Sequence, residues 1–286
     1  MGTRILSTPI NEAGLSGPVI DRDTATRLME PLTDLVIRAG AAILAVSRVD
    51  LNIDGKPDGS PVTDADMVAD RVIADGLARL APAIPVVSEE RVHLAHSSLH
   101  GSFFLIDPLD GTKEYVAGRS EFTVNLALVS EGAPLLGIVG APALGLLWRG
   151  LVGQGAQRLV ISGSSTGVAT AIHTRRIPQP GQPWIAAVSR SHGDARTEAF
   201  IDGRPGAIRS VLGSAVKFGR VAEGSVDIYP RLAPTSEWDI AAGHAIVNAA
   251  GGKVADAQGN ALKFGQATSN FIVPEFIAWG DTTAAG

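Results

Sequence analysis

The chain has 286 residues, enough for one large domain or two smaller ones. Apolar residues make up 45% and charged residues 19%, a balance that provides a hydrophobic core and excludes a disordered chain. A net charge of −5 argues against long nucleic acids and anionic membrane surfaces as partners. The absence of cysteine excludes disulfides, thiolate zinc sites and cysteine catalysis, and it fits a reducing compartment.

Neither a membrane span nor a secretory signal is expected. The sequence contains no unbroken run of about 18 apolar residues. Its N-terminus lacks a short basic segment followed by an apolar stretch. We therefore expect a cytoplasmic protein, with peripheral association at the inner face of a membrane left open.

The first half of the chain predicts an arm, two helices and a series of strands. Residues 1–23 show no period and predict a loose arm, part of which is ordered against the body. An apolar stripe predicts a helix from Thr24. Because proline suits only the first turn of a helix, the helix proper is expected to begin close to Pro31. A second helix is expected to begin at Asp64 or Asp66 and to end before Pro82. Strands are expected at 84–87, 103–106, 122–129, 135–139 and 144–148.

The second half alternates strands and helices. Residues 150–183 are rich in Gly, Ser and Pro and predict the crossing between the halves. Strands are then expected at 184–188 and 226–229, and helices at 195–201, 215–223 and 240–250. The sequence predicts an α/β (α+β) protein with two sheets that meet at a cleft. Its expected division is an arm (1–23), an N-terminal α+β domain (24–155) and a C-terminal α/β domain (156–286).

A turn with two acidic residues is the most informative motif. Asp107-Pro108-Leu109-Asp110-Gly111-Thr112 follows a buried strand, so a rigid element holds its side chains in place. The two carboxylates and the Leu109 carbonyl between them can converge on hard cations such as Mg²⁺ or Mn²⁺. The same fragment also fits an ordinary turn, in which Asp and Gly serve the backbone shape.

Further acidic residues stand at the ends of other predicted elements. Glu89 follows a strand, Asp239 opens a helix, and Asp66 lies at a loop-to-helix transition. Taken singly, each is a solvated strand end or a helix cap. Gathered together, four carboxylates would need about two divalent cations to offset their repulsion. These four are Glu89, Asp107, Asp110 and Asp239.

Other catalytic motifs are absent from the sequence. It contains no HExxH pair, no Gly-x-Ser-x-Gly elbow and no Walker loop. Asp64-Ala65-Asp66 lacks the later Gly and Glu of an EF-hand. Zinc hydrolysis, serine esterase chemistry and EF-hand calcium binding therefore have no support.

Four motifs, in order along the chain, resemble the lithium-sensitive, magnesium-dependent phosphatase superfamily, which includes inositol monophosphatases and fructose bisphosphatases. They are Ser60–Asp66, Ser88-Glu89-Glu90, Asp107–Thr112 and Trp238–Gly243. Within the superfamily the chain is most similar to CysQ-type 3'(2'),5'-bisphosphate nucleotidases. That similarity is carried by Asp107–Tyr115, Ser189–His192, Gly213–Phe218 and Tyr229–Arg231.

The chain departs from the CysQ-type pattern in three places. The arm 1–23 is additional, Tyr115 stands where Phe is common, and Ala215 replaces a small hydroxyl residue. The last departure bears on contacts with a nucleotide.

The resemblance implies a layered α-β-α-β-α fold, a sugar-phosphatase-like sandwich with two sheets. It implies hydrolysis of adenosine 3',5'-bisphosphate, a by-product of sulfur metabolism, to AMP and phosphate by a metal-activated water. Two or three Mg²⁺ ions are implied, with Mn²⁺ as a substitute. Glu89, Asp107 and the Leu109 carbonyl would bind the first ion, and Asp107, Asp110 and Asp239 the second. A third would lie by Glu89 and Asp66.

The resemblance also implies catalytic and substrate-binding residues. Thr112, Asp66 and Glu89 would be catalytic, with the Thr112 hydroxyl orienting the attacking water and Asp66 as its partner. Arg190, Lys217 and Arg231 are candidates for the second phosphate, although a solvated surface charge also fits each. The implied substrate contacts are Glu89, Leu109, Asp110, Gly111, Thr112, Ser189, Arg190, His192, Ser214, Lys217, Arg231 and Asp239.

Two other functions stay open. One is an inositol-monophosphatase-like enzyme of broad sugar-phosphate specificity, which would share the metal site. The other is a non-catalytic nucleotide- or metal-binding regulator on the same fold. The intact acidic set and Thr112 argue against the regulator. The expected partner is a small-molecule nucleotide bisphosphate, and both a monomer and a homodimer are compatible with the sequence.

Overall fold

The computed structural model describes residues 15–47, 53–55, 61–94, 98–163, 165–191, 193–204, 206–266 and 270–285. Its α-helices are α1 (Arg22–Ala45), α2 (Asp64–Leu80), α3 (Thr112–Val116), α4 (Ala195–Asp202), α5 (Val216–Ala222) and α6 (Glu237–Ala249). Short 3₁₀ turns span Glu89–Leu94, Pro142–Leu144 and Thr282–Ala285.

The strands are numbered in chain order. The first nine are β1 (Leu15–Ser16), β2 (Ile53–Gly55), β3 (Pro61–Thr63), β4 (Val86–Ser88), β5 (Leu99–His100), β6 (Ser102–Asp110), β7 (Thr123–Ser130), β8 (Ala133–Ala141) and β9 (Leu146–Leu151). The others are β10 (Gly155–Ser162), β11 (Ser165–Thr166), β12 (Thr170–Ile172), β13 (Ile185–Ser189), β14 (Ile208–Leu212), β15 (Ile228–Arg231), β16 (Thr235–Ser236), β17 (Lys253–Ala255), β18 (Ile272–Val273) and β19 (Phe276–Trp279).

The two N-terminal helices begin at side-chain caps. The Asp21 carboxylate accepts the Thr24 N–H at 2.7 Å, so α1 starts at Arg22. The expectation of a start near Pro31 was wrong, because Pro31 lies inside the helix and the buried stripe around it holds the helix together. Helix α2 begins at a capping box between Thr63 and Asp66.

The larger sheet is buried on both faces. Its described strands run in the order β11-β10-β9-β8-β7-β6-β4, with β12 also paired to β10, and only β4 is parallel to its neighbour. Alternate residues of β6 point to opposite faces: Phe103 and Leu105 join the core beneath α6, whereas Phe104 and Ile106 join the core beneath α1 and α2. This two-sided burial explains why the strand reads as a continuous apolar run.

The smaller sheet completes the layers. Its described strands run in the order β14-β13-β15-β19-β17. Helices α5 and α6 lie between the two sheets, and α4 covers the outer face, where Ile201 packs with Ala186, Val188 and Ile228. The expected α-β-α-β-α architecture with two sheets is confirmed.

Helix α6 lies in direct backbone contact with the larger sheet. Gly137 of β8 faces the Ala242 carbonyl, and a Cβ at Gly137 would overlap that oxygen. Only glycine permits this approach. The close packing fixes the distance of α6 from the larger sheet. It thereby fixes the position of Asp239 in the first turn of α6.

The larger sheet extends further along the chain than expected. Strands β10–β12 lie within the stretch 150–183 that predicted a crossing, and β10 pairs with β9. The crossing between the sheets therefore falls between Ile172 and Ile185, at the end of the stretch 150–183. The division into domains itself stays a prediction. Strands β14, β17 and β19 were not foreseen.

The end of the predicted arm is attached to the body. Leu15–Ser16 pairs in parallel with Leu99–His100, and residues 1–14 lie outside the described part of the chain. Among the described residues, no helix is long and apolar enough to cross a bilayer.

Candidate active site

A cavity of about 200 Å³ lies where the end of β6 meets the first turns of α5 and α6. Most of the residues that the sequence singled out form its walls. These are Glu89, Asp107, Leu109, Asp110, Gly111, Thr112, Ser189, Ser214, Lys217, Arg231 and Asp239. Residues from distant parts of the chain therefore meet in one crevice, while their individual roles stay predictions.

The end of β6 and the start of α3 form one wall of the cavity, so Asp107–Asp110 belong to the strand and not to a turn after residue 106 as expected. The register between β6 and β7 shifts between Asp107 and Asp110, so the strand bulges there. The Asp107 Oδ1 atom accepts the Leu109 N–H at 3.0 Å, which fixes the carboxylate against its own turn. Gly111 has a φ of +90°, and a Cβ there would overlap the Ser214 hydroxyl. The motif glycine is thus required by backbone shape and by close packing.

Asp110 carries a charge that the protein alone stabilises poorly. Burial, followed by repulsion from Asp239, raises the pKa of Asp110 to about 6. The Lys217 ammonium and weak hydrogen bonds of 3.4 Å from Asn125 and Thr123 offset only part of this cost. A cation between Asp110 and Asp239 would remove it.

The Asp239 carboxylate also caps helix α6. Its Oδ2 atom accepts hydrogen bonds from the Thr235 hydroxyl and, at 3.4 Å, from the Ser236 N–H. These bonds set the side-chain direction of Asp239 at the start of the helix.

Thr112 and Asp66 form a hydrogen-bonded pair beside the turn. The Thr112 hydroxyl oxygen lies 3.0 Å from Asp66 Oδ1 and 3.2 Å from the Leu109 carbonyl oxygen. The other Asp66 oxygen accepts the Thr63 N–H at 2.8 Å and the Thr63 hydroxyl at 2.6 Å. Asp66 is buried and held by these bonds, so it can accept a hydrogen bond from the Thr112 hydroxyl. The lone pairs of the Thr112 oxygen can then accept a hydrogen bond from another group.

Two cationic side chains line the opposite wall. Lys217 is only 3% exposed and donates to the Ser214 carbonyl at 2.6 Å. Burial is the main cause that lowers the pKa of Lys217 to about 8, with attraction to Asp110 opposing it. Arg231 donates to the Pro234 carbonyl at 3.2 Å, while its Nε is buried without a hydrogen-bond partner. The lysine ammonium also lies 5.2 Å from the ring centroid of Tyr229, another residue of the cavity wall.

Some of the expected substrate contacts are placed differently. Arg190 is hydrogen-bonded to Glu121 and is not among the residues that line the cavity. Its predicted role stays untested. His192 lies outside the described residues. The Ser214 hydroxyl lies 2.9 Å from the carbonyl oxygens of both Asp110 and Glu121, so it ties the two walls together.

Two buried glutamates were given no role from the sequence. Glu114 lines the cavity and accepts a hydrogen bond from Ser191. Burial raises the pKa of Glu237 to about 7, and its carboxylate accepts the Gly265 N–H at 2.7 Å. Glu114 had a signal, because it lies in the stretch Asp107–Tyr115 that carries the family resemblance, whereas Glu237 had none beyond its place two residues before Asp239.

The donors that line the cavity suit a hard cation. Within the described ranges, no three acidic or imidazole side chains lie close enough together to hold a metal ion as they stand. Burial and, second to it, repulsion from Asp239 both raise the pKa of Asp110, so its charged form lacks a compensating partner. Carboxylate and carbonyl oxygens are the ligands that Mg²⁺ prefers, so the residues present fit the ion.

Comparison with known proteins identifies the family of the chain. Residues 25–283 match the Inositol monophosphatase family. The 3'(2'),5'-bisphosphate nucleotidase CysQ of Escherichia coli K12 is 38% identical over 252 residues, which cover 87% of this chain and 98% of that protein. The corresponding Salmonella typhimurium protein is 39% identical with the same coverage. A crystal structure of CysQ from Bacteroides thetaiotaomicron superposes with a TM-score of 0.73 at 33% identity, covering 89% of this chain and 97% of that chain.

The layered fold is that of a sugar-phosphatase-like protein. The chain belongs to the inositol monophosphatase family. Within that family it is similar to the CysQ nucleotidases along nearly their whole length.

Proposed function

We propose that the protein is a magnesium-dependent phosphomonoesterase that hydrolyses adenosine 3',5'-bisphosphate to AMP and phosphate. One observation carries the proposal: the acidic segment 107–110, Thr112 and the buried Lys217 line a single cavity, and the Thr112 hydroxyl is hydrogen-bonded to Asp66 behind it. Relatives that bear the name 3'(2'),5'-bisphosphate nucleotidase support the substrate class. A cytoplasmic location, and a monomer or homodimer, stay predictions.

The acidic wall would hold the cations. Glu89, Asp107 and the Leu109 carbonyl are proposed for one Mg²⁺, and Asp107, Asp110 and Asp239 for a second. A third ion would lie by Glu89 and Asp66, and Mn²⁺ would substitute for Mg²⁺. When bound, such ions supply Lewis-acid activation of water and of the phosphate ester.

Thr112 would orient the attacking water. Because the Thr112 hydroxyl can donate a hydrogen bond to Asp66, the lone pairs of the Thr112 oxygen can accept a hydrogen bond from a water in the cavity. Asp66 cannot turn away, since Thr63 holds its second carboxylate oxygen. The pair therefore fixes the direction from which water approaches the phosphorus.

The cationic wall would bind the phosphate that is not cleaved. Lys217 and Arg231 line the cavity from the side of the smaller sheet, across from the acidic turn. A bisphosphate needs cationic partners beyond the metal ions, whereas a monophosphate does not. The presence of these two cations favours a nucleotide bisphosphate over inositol 1-phosphate. Ser189 and Ser214 are proposed contacts of the ribose or base, together with His192.

A phosphate-release assay tests the proposal. The purified protein should release phosphate from adenosine 3',5'-bisphosphate in Mg²⁺, lose this activity in EDTA and regain it with Mn²⁺. Inositol 1-phosphate should give a kcat/KM at least about tenfold lower. Equal rates on the two substrates would favour the broad sugar-phosphate enzyme. Tight nucleotide binding without turnover would favour the non-catalytic regulator.

A further inference from the structure

Helix α2 presents two buried carboxylates one turn apart. Asp66 and Asp70 are 1% and 6% exposed, and their spacing of four residues places them on one side of the helix. Asp66 reaches Thr112. Asp70 reaches a different segment, the end of β4.

The Asp70 contacts surround the residue that follows β4. Its Oδ1 accepts the Ser88 hydroxyl at 2.6 Å and the Arg91 Nη2 at 3.1 Å. The Arg91 Nε lies 3.1 Å from the other oxygen, Oδ2. Ser88 and Arg91 flank Glu89 in sequence, so one buried carboxylate holds a side chain on each side of it.

The segment around Glu89 has little other support from the sheet. Strand β4 has three residues, lies at the end of the larger sheet and pairs with β6 alone among the described strands. Glu89 then opens a 3₁₀ turn and lines the cavity. An edge strand this short fixes the direction of its last residues weakly.

We infer that Asp70 is a positioning residue for Glu89, holding the Ser88–Arg91 segment so that the Glu89 carboxylate faces the cation site. The inference rests on the proposed function, in which Glu89 binds metal. Helix α2 thereby aligns two parts of the site at once: Thr112 through Asp66, and Glu89 through Asp70. The contact lies outside the cavity wall, so it would act on metal binding without touching the substrate.

Variants of the full chain separate these effects. Asp70→Ala removes both contacts, and Asp70→Asn keeps an acceptor for Ser88 but loses the charge that faces Arg91. Arg91→Gln loses the hydrogen bond and the ion pair of the guanidinium and keeps the Ser88 contact. Asp75→Asn is the matched control, because Asp75 is an exposed carboxylate of the same helix. Mn²⁺ binding is measured by electron paramagnetic resonance without substrate. Phosphate release is then measured against Mg²⁺ and against nucleotide.

Asp70→Ala should weaken Mn²⁺ binding and raise the half-saturating Mg²⁺ concentration by about 10- to 100-fold, the usual effect of losing a group that orients a metal ligand. Asp70→Asn and Arg91→Gln should fall between Asp70→Ala and wild type. The KM for the nucleotide should stay within roughly twofold at saturating Mg²⁺, since no substrate contact is lost. Asp75→Asn should match wild type in both assays.

The inference is overturned if the folded Asp70 variants bind Mn²⁺ like wild type, even where their melting temperatures fall. If Asp70→Ala does not fold, Asp70→Asn and Arg91→Gln decide by the same Mn²⁺ titration. A wild-type chain that shows no Mg²⁺-dependent phosphate release sinks the proposed function. A shift in Mn²⁺ binding in that same experiment would still support the positioning role of Asp70.

Discussion

The two walls of the cavity are built in different ways. The acidic wall comes largely from the short segment 107–112, which follows one buried strand and is braced by hydrogen bonds to its own backbone and to α2. The cationic wall gathers Ser189, Lys217 and Arg231 from three separate elements of the smaller sheet and α5. Under the proposed function, the more contiguous wall would perform the chemistry and the wall assembled from dispersed residues would select the substrate.

The acidic wall should fail most severely when its central carboxylate is neutralised. Asp107→Asn removes a charge proposed to bridge two cations but keeps the side-chain shape and its acceptor for the Leu109 N–H. We expect kcat to fall by about 10³-fold or more, on the scale of losing a strong electrostatic stabiliser. Phosphate release measures the loss, and circular dichroism should show a wild-type fold. An unchanged kcat would refute the two-metal assignment.

Removing the hydroxyl of Thr112 should give the next largest loss. Thr112→Val keeps the side-chain volume but deletes the group that bonds Asp66. We expect kcat to drop by about 10²-fold with little change in KM, because only the orientation of the water is affected. Thr112→Ser restores a hydroxyl and should recover most of the activity. A valine variant with wild-type kcat would show that the pair is only a structural cap.

The stability of the metal-free protein should depend on Asp110. Its pKa rises from the usual value of 3.8 to about 6 on folding, so its contribution is fully present below pH 3.8 and is lost as the pH rises to about 6. Asp110→Asn removes this loss and should stabilise the metal-free protein at pH 7 by about 1–3 kcal/mol. Thermal melting in EDTA at pH 4.5 and 7 measures the stability difference between the variant and wild type. Mg²⁺ should stabilise wild type more than the variant. Equal pH dependence in both proteins would contradict this.

The cationic wall should show a smaller and more selective effect. Arg231→Ala should raise the KM for adenosine 3',5'-bisphosphate by about tenfold, the scale of one charged hydrogen bond. The kcat/KM for inositol 1-phosphate should hardly change. Arg209→Ala is the matched control, since Arg209 pairs with Glu198 and Asp202 away from the cavity. An equal loss on both substrates would count against a role in binding the second phosphate.

The parts of the site whose residues are adjacent in sequence could be predicted, and the parts that join distant residues could not. The turn 107–112 was identified as a unit because its residues are adjacent and follow one apolar run. Glu89 and Asp239 joined it because each stands at the end of another predicted element, and the cavity brings them to the same place. The Asp70–Ser88–Arg91 contact could not be found, because the three residues lie on different elements and neither Asp70 nor Arg91 belongs to a recognisable motif.

The same distinction holds for the fold: segments with a local sequence pattern were predicted, and elements that depend on distant partners were not. Long periodic segments such as α2 and β6 were found, and their ends were missed by a few residues at most. The position of Pro31 inside α1 was not predicted, because the tertiary packing of α1 overrides the local preference of proline for a first turn. Strands β14, β17 and β19 are three to five residues long and form only through partners far away in sequence.

The sequence by itself determined the layered class, the acidic turn and the kind of cation it suits, because these depend on adjacent residues and on the period of apolar side chains. Tertiary structure alone decided that Lys217 is buried beside Asp110, that Arg190 pairs with Glu121, and that α2 supports the acidic wall. Burial and electrostatic coupling arise between residues distant in the chain. They exist only once the two sheets and their helices have packed together.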